Sequence, residues 1–176
     1  MEYIEMVLGK LGLTTEVLDC GPARPMSGKA AKELTENRQK PQPVHNACSG
    51  KHSGMLALCQ ILGVTVEGYT KPEHEVQKIM HKAVAMAADV PADQLEIGID
   101  GCGVPVFYLS LYNMALAYAR LAAPEKGNWG EYEPAVEKIR DAMSGYPEIV
   151  AGTGRIDTIV SHITKGRIIA KIGANA

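Results

Sequence analysis

Apolar residues recur at helical spacing through most of the chain, and a glycine or proline follows most of these segments. This pattern is typical of amphipathic helices that end where glycine or proline interrupts the backbone. It predicts helices over residues 3–11, 27–39, 49–63, 73–88, 110–123 and 131–144. Gly50 and Gly54 stand early in the third of these helices, and we interpret them as room for the close approach of another segment.

Shorter apolar pieces lie between and after the predicted helices. Residues 95–99 and 104–108 flank a glycine-containing turn and predict two short strands. Residues 156–162 carry a weaker signal, and the alternation of apolar and polar residues over 167–172 predicts a further strand. The fold class that follows is α/β, a helix-rich mixed domain with a few short strands.

Length and composition bound the kind of core that the chain can form. A chain of 176 residues fits one domain, residues 1–176, of ordinary size. With one Phe and one Trp against eight Met, the core must consist mainly of aliphatic side chains. The four cysteines have neither the density nor the spacing of a small secreted disulfide scaffold, so we expect reduced thiols.

The charge and the lengths of the apolar runs argue against nucleic acid and membranes as partners. Eighteen basic and 20 acidic residues give a net charge of -2, without a run of Lys and Arg that would follow nucleic-acid phosphates. The longest apolar runs fall well below the ~20 residues that a membrane-spanning helix needs. The first residues are acidic, unlike a secretory leader. We therefore expect a soluble, cytoplasmic protein that binds neither nucleic acid nor membrane.

Two cysteine motifs are the strongest candidates for a functional site. Residues 46–54 read Asn-Ala-Cys-Ser-Gly-Lys-His-Ser-Gly, at the junction between a proline-containing loop and a predicted helix. A thiol there feels the positive end of the helix dipole, and Lys51 lies three residues after Cys48 on the same helix face. Both effects favour the thiolate of Cys48. The second motif, Asp100-Gly-Cys-Gly-Val-Pro, places Cys102 in a tight turn.

Three hypotheses for these motifs remain open on the residues alone. Cys48 is a covalent nucleophile in the first, with Lys51 or His52 as its base. In the second, Cys48 and Cys102 bind a zinc ion, with His52, Lys51 or Asp100 completing the ligand set. The third is structural: the cysteines are buried, and a helix-capping serine begins the helix.

Four stretches of sequence, in order, carry a resemblance to a known family. They are His45-Asn-Ala-Cys-Ser-Gly-Lys-His-Ser-Gly-Met-Leu, Asp100-Gly-Cys-Gly-Val-Pro-Val, Gly152-Thr-Gly-Arg-Ile-Asp and Ala170-Lys-Ile-Gly-Ala. In these stretches the chain resembles the rhizobial-type L-asparaginase II amidohydrolases. The resemblance implies a β-lactamase/glutaminase-like architecture. Members of the family are roughly twice as long, so we expect the chain to correspond to the central portion, with N- and C-terminal parts absent.

The resemblance also implies an activity and a metal site. The activity is hydrolysis of the side-chain amide of L-asparagine to L-aspartate and ammonia. The metal is zinc, held by Cys48, Lys51 and Cys102. A coordinating lysine must lose its proton, so such a site requires a strongly depressed lysine pKa and burial. Lys171 corresponds to a second active-site lysine, and Asp100 is expected to orient a site group through hydrogen bonds, which makes these two our candidate catalytic residues.

Substrate recognition and the nucleophile complete the expectations. Arg155 and Asp157 suit the α-carboxylate and α-ammonium groups of asparagine, and His52 is a further substrate-binding candidate. Asn46 either positions an amide or closes its own loop. The family nucleophile is the serine of a Ser-x-x-Lys pair, and none of the six serines here has a lysine three residues later. We therefore expect the chain to be inactive alone. The expected partner is a second copy in a homodimer, or a complementing chain that carries the missing upstream segment.

Overall fold

A computed structural model of the chain describes residues 2–173. The elements within these residues are eight α-helices and two short strands, joined by loops and short 3-10 turns. They are α1 Glu2–Lys10, α2 Gly28–Glu36, α3 Ser49–Leu62, α4 Glu75–Ala88, β1 Ile97–Ile99, β2 Pro105–Phe107, α5 Leu111–Ala122, α6 Glu133–Gly145, α7 Pro147–Ala151 and α8 Ile156–Ile163. This composition confirms the prediction of a helix-rich α/β fold.

Local capping sets several helix boundaries. Ser27 precedes α2 and its Oγ accepts a hydrogen bond from the backbone N–H of Ala30 at 3.4 Å. Ser110 does the same before α5, accepting from the N–H of Asn113 at 3.1 Å. Gly63 ends α3 in the left-handed conformation, with φ of 65°. Sequence-encoded caps therefore determine where these helices begin and end.

The described residues divide into two compact units. The first unit comprises the residues up to Met86 together with Val90–Leu109. The second comprises Ala87–Asp89 and the described residues from Ser110 onward. Both cysteine motifs belong to the first unit. The expectation of a single domain over residues 1–176 stays a prediction.

The core of the first unit is aliphatic and contains cysteine. Helix α1 packs against α3, and the side chains buried around this contact include Leu8, Leu56, Cys59, Val76 and Val104. Each of these five is at most 1 % exposed. Burial of such side chains stabilises the unit by roughly 1.5–3 kcal/mol each relative to exposure. The core thereby fixes the face of α3 that carries the first cysteine motif.

Strands β1 and β2 form an antiparallel hairpin that carries the second motif. Ile97 pairs with Phe107 and Ile99 with Pro105. Beyond the pairing, the N–H of Asp100 donates to the carbonyl of Val104 at 2.8 Å. Gly103 then turns the chain at a φ of 87°, a conformation that residues with a Cβ rarely adopt. This tight turn presents Asp100 and Cys102 together at the tip of the hairpin.

In the second unit, Arg120 and Trp129 fix the loop that follows α5. The guanidinium of Arg120 lies 4.5 Å from the centroid of the Trp129 ring, and the indole N–H donates to the Arg120 carbonyl at 3.1 Å. Arg120 Nε also donates to the carbonyl of Gly127 at 2.6 Å. A Cβ at Gly127 would collide with the Trp129 ring. The close approach therefore requires glycine at this position.

Two expectations about the backbone are wrong. Residues 168–173 form neither helix nor strand, so the predicted strand over 167–172 is absent. Alternation alone is not enough, because a strand needs a partner to bond its backbone groups, and the described sheet contains only β1 and β2. The glycines of α3 do not mark a close approach either. A Cβ at Gly54 meets nothing within 4 Å, and one at Gly50 makes only an ordinary contact with Ile4 at 3.7 Å.

Two glycine-to-alanine substitutions, one within α3 and one at the residue that follows it, are therefore expected to change the stability in opposite directions. Gly54→Ala should raise the free energy of unfolding by about 0.5–1 kcal/mol, because the site is helical and open. Gly63→Ala should lower it by roughly 1 kcal/mol, because φ is positive there. Urea unfolding monitored by circular dichroism measures both. Destabilisation by Gly54→Ala would show that this glycine has a packing role after all.

Candidate functional site

The two cysteine motifs meet in the first unit. Cys48 precedes the first turn of α3, and Asp100 and Cys102 lie at the hairpin tip. The Sγ atoms of Cys48 and Cys102 and a carboxylate oxygen of Asp100 all lie within 4.8 Å of one another. Cys102 is buried, whereas Cys48 and Asp100 are partly exposed. The cluster therefore has a buried side and a side open to solvent.

Asn46 places the start of α3 against the preceding loop. Its side-chain amide donates to the carbonyl of Cys20 at 2.8 Å and to that of Gly21 at 3.1 Å. Its Oδ1 accepts the N–H of Cys48 at 2.9 Å. Of the two roles considered for Asn46, these contacts show loop closure. Its role in substrate binding stays a prediction.

Lys51 and Asp100 link the two motifs directly. Lys51 Nζ donates to Asp100 Oδ2 at 3.0 Å, and the same oxygen accepts from Cys102 Sγ at 3.4 Å. The other carboxylate oxygen accepts the N–H of Gly101 at 2.7 Å. Asp100 thus orients both a lysine and a cysteine. The lysine is the nearer of the two partners, and the orienting role of Asp100 in a functional site stays a prediction.

The charge states of this pair follow from the same contacts. The hydrogen bond from Lys51 holds the pKa of Asp100 below its ordinary value, against the opposing effect of partial burial. Burial acts to lower the pKa of Lys51, but the hydrogen bond to Asp100 and the nearby thiols outweigh it, so the pKa is raised. Lys51 is therefore an ammonium in this structure, and not the neutral amine that a coordinating lysine requires.

The four thiols differ in their surroundings, and all four are free. Burial raises the pKa of Cys102, with the charge of Lys51 opposing it. Burial also raises the pKa of Cys20, whose Sγ donates to the carbonyl of Pro43 at 3.3 Å, and of Cys59 in the core. Among the described residues, Cys48 Sγ has no hydrogen bond to either candidate base, Lys51 or His52. The nucleophile–base pair that a cysteine amidase needs is thus not formed here.

His52 is fully buried and belongs to a short chain of hydrogen bonds. Its Nδ1 lies 2.6 Å from the hydroxyl of Tyr69, which also accepts the backbone N–H of Asp19 at 2.9 Å. Burial lowers the pKa of His52 to about 4 and raises that of Tyr69 to about 12, so both are neutral near pH 7. Sequence reasoning missed Tyr69, because a lone tyrosine in a loop carries no recognisable motif.

Three predicted site residues lie in the second unit. Arg155 precedes α8 and is half-buried as a residue, and its guanidinium has no hydrogen bond or ion pair to any described residue. Asp157 in the first turn of α8 is 7 % exposed, and its Oδ2 is buried without a partner in the described chain. It faces a gap beside Met143 and Val150 that is too small for a water molecule. Lys171 is exposed, and its Nζ donates to the carbonyl of Ile172 at 2.7 Å.

The chemistry of the donor set suits zinc. Two thiol sulfurs and one carboxylate oxygen are typical zinc ligands, which bind at about 2.3 Å and about 2.0–2.2 Å from the ion. Ligand atoms within 4.8 Å of one another can converge on such an ion through small side-chain rotations. A set that contains thiols does not suit magnesium or calcium, which prefer oxygen ligands.

Comparison with known proteins identifies the family. The sequence model of the L-asparaginase II family matches residues 1–176, so the chain belongs to this family. The resemblance carried by the four stretches of sequence is therefore confirmed. A comparison with curated proteins finds no match. Within residues 2–173, no helix combines the length and apolar character that crossing a membrane demands.

The Lys51–Asp100 pair should couple the two motifs energetically. In a double-mutant cycle of Lys51→Met and Asp100→Asn, we expect a coupling of about 0.5–1 kcal/mol, modest because the lysine side chain is 36 % exposed. Asp100 has a lowered pKa, so the coupling is present above the ordinary value of 3.8 and lost as pH falls through the folded value. Lys51 has a raised pKa, so the coupling persists up to its ordinary value of 10.5 and is lost above the folded value.

The coupling is measured by urea unfolding of the unmodified chain, the two single variants and the double variant. A range from about pH 3 to about pH 8 covers the acid side, where Asp100 takes up its proton. The more exposed Glu75–Lys78 pair on α4, also at 3.0 Å, is the matched control and should show weaker coupling. A coupling near zero at pH 7 would mean that the hydrogen bond does not hold the hairpin tip to α3.

Proposed function

We propose that this chain takes part in hydrolysis of the side-chain amide of L-asparagine to L-aspartate and ammonia. The observation that carries the proposal is the match of the L-asparaginase II family to residues 1–176. The clustered side chains of Cys48, Lys51, Asp100 and Cys102 support it, because they gather the charged and metal-binding groups of two separate motifs. Amide hydrolysis requires such groups to polarise the carbonyl and to move protons.

The second unit, taken by itself, carries side chains whose chemistry suits the amino-acid end of asparagine. The guanidinium of Arg155, unpaired in the described chain, suits the α-carboxylate through two parallel hydrogen bonds. The Asp157 carboxylate suits the α-ammonium group, provided that the gap beside it opens. Lys171 carries an exposed ammonium without a carboxylate partner among the described residues, and we assign it as the second lysine of the reaction.

We further propose that the cluster binds zinc. Cys48 and Cys102 would hold the ion through sulfur, with the Asp100 carboxylate in reach. Lys51 joins them only after it loses its proton and leaves Asp100, so zinc uptake is expected to release protons. A zinc ion in this position supplies Lewis-acid polarisation of a carbonyl. Before zinc binds, Asp100 holds both Lys51 and Cys102 through the two hydrogen bonds that its Oδ2 accepts.

Zinc content tests the metal proposal. After loading with zinc and dialysis, the purified chain should retain about one ion. Cys48→Ala and Cys102→Ala should each lose it, because removal of one ligand lowers the affinity for zinc so far that dialysis removes the ion. Cys59→Ala is the matched control, because Cys59 is a buried thiol in the same first unit that lies outside the cluster. Elemental analysis by mass spectrometry measures the ratio. Equal retention by all four proteins would place the zinc elsewhere.

Activity tests the reaction. None of the six serines is followed by lysine at the third position, so the chain lacks the nucleophile pair that the resemblance implies. We expect ammonia release from L-asparagine to stay at the level of a Cys48→Ala control, with or without zinc. Turnover that exceeds this control would show that the chain contains its own nucleophile. Cys48 would then be the first candidate, and selective loss of turnover with iodoacetamide would identify it.

A second candidate function is a zinc-binding module without catalysis. The observation in its favour is that the thiol and carboxylate ligands are all present in the chain, whereas the Ser-x-x-Lys pair is not. The two functions differ in their response to substrate. A catalytic or substrate-binding chain should rise in Tm with millimolar L-asparagine, because a ligand that binds only the folded state stabilises it. A zinc-binding module should respond to zinc alone.

A further inference from the structure

The hydrogen-bond chain from Asp19 through Tyr69 to His52 leaves one donor unused. His52 is 0 % exposed and Tyr69 is 1 % exposed, so neither side chain has access to bulk water. The hydroxyl of Tyr69 touches Asp19 N on one side and His52 Nδ1 on the other. His52 Nε2 is buried and has no hydrogen-bond partner among residues 2–173.

Counting protons settles which nitrogen of His52 carries one. A tyrosine hydroxyl has one proton and two lone pairs, and the N–H of Asp19 occupies a lone pair. The hydroxyl proton is buried, and His52 Nδ1 is the acceptor within reach, at 2.6 Å. If Nδ1 kept its own proton, the tyrosine proton would have no acceptor. Tyr69 therefore donates to Nδ1, and the neutral imidazole carries its proton on Nε2.

The backbone of Tyr69 is also held in place, by a residue of α4. Gln77 of α4, 2 % exposed, donates through Nε2 to the backbone carbonyl of Tyr69 at 2.8 Å. The rings of His52 and Tyr69 meet edge to face, with centroids 5.5 Å apart and planes at 84°. Gln77 thus holds the backbone of Tyr69, while Asp19 and His52 hold its hydroxyl and ring. The direction of the His52 Nε2–H bond is fixed with that ring.

An unpaired buried N–H is costly, at about 1–3 kcal/mol, and native proteins contain few of them. His52 follows Lys51 directly and lies one helical turn after Cys48, so its donor belongs to the segment that forms the candidate site. We propose that Tyr69 is a positioning residue that locks His52 in the Nε2–H form, and that this N–H donates to an oxygen of the amide substrate once the side chains that bury Nε2 move aside. The substrate part of this proposal rests on the proposed function.

Nuclear magnetic resonance of protein labelled with ¹⁵N-histidine tests the proposal. Long-range proton–nitrogen correlation distinguishes the two neutral forms of each imidazole. In the unmodified chain at neutral pH, His52 should show a proton on Nε2 and a hydrogen-bonded, unprotonated Nδ1. In Tyr69→Phe, the Nδ1 signal should move to the position of an acceptor without a donor. Tyr108→Phe is the matched control and should leave His52 unchanged, because Tyr108 is 67 % exposed.

A proton on Nδ1 in the unmodified chain would overturn the proposal, and this result needs no variant that must fold. An Nδ1 signal unaltered by Tyr69→Phe would also overturn it. The substrate part has its own measurement: L-asparagine should shift the Nε2–H signal, and L-alanine, which lacks the side-chain amide, should not. If L-asparagine raises Tm yet leaves this signal in place, the assignment of the donor to substrate is wrong. If it does neither, the proposed function has failed and the assigned form of His52 still stands.

Discussion

The hydrogen bond between Lys51 and Asp100 joins segments 49 residues apart and brings the two cysteine motifs together. Core packing also connects the two segments, because Cys102 and Val104 belong to the same buried cluster as Leu56 of α3. The pair also keeps both of its members charged, because each partner stabilises the ionised form of the other. A positive lysine beside two thiols and a carboxylate therefore sets the electrostatic frame of this cluster.

Support for this frame comes from both ends of the first motif. Asn46 uses its amide to hold the Cys20–Gly21 loop and the start of α3 in one arrangement. On the buried side, Tyr69 and the aliphatic core fix the same helix. Rigid support of this kind is what a site needs, since ligand atoms displaced by about 1 Å lose much of their effect. The hairpin contributes the remaining groups on a turn that glycine makes possible.

Sequence reasoning predicted the features that depend on local patterns. Helical spacing and capping residues located α3 and α5, and the interval between Cys48 and Lys51 placed both on one face of a helix. The resemblance in four stretches of sequence predicted the family that the L-asparaginase II sequence model identifies. Local pattern is sufficient in these cases because the forces involved act over a few residues.

Features that depend on tertiary contact were not predictable in the same way. The raised pKa of Lys51 follows from Asp100, whose position relative to the helix no local pattern specifies. Tyr69 reaches His52 from a loop, through contacts that only folding creates. The predicted strand over 167–172 failed for a related reason, because a strand depends on a partner that the pattern of one segment does not reveal.

We propose that Cys48, Cys102 and Asp100, whose ligand atoms lie within 4.8 Å of one another, bind one metal ion together. Substitution with cobalt tests this most directly, because cobalt bound to thiolates absorbs light through sulfur-to-metal charge transfer, whereas cobalt bound to oxygen and nitrogen does not. We expect this absorption in the unmodified chain, weakened by loss of either cysteine and abolished by loss of both. A cobalt complex without a thiolate band, or a band that persists in the double variant, would contradict it.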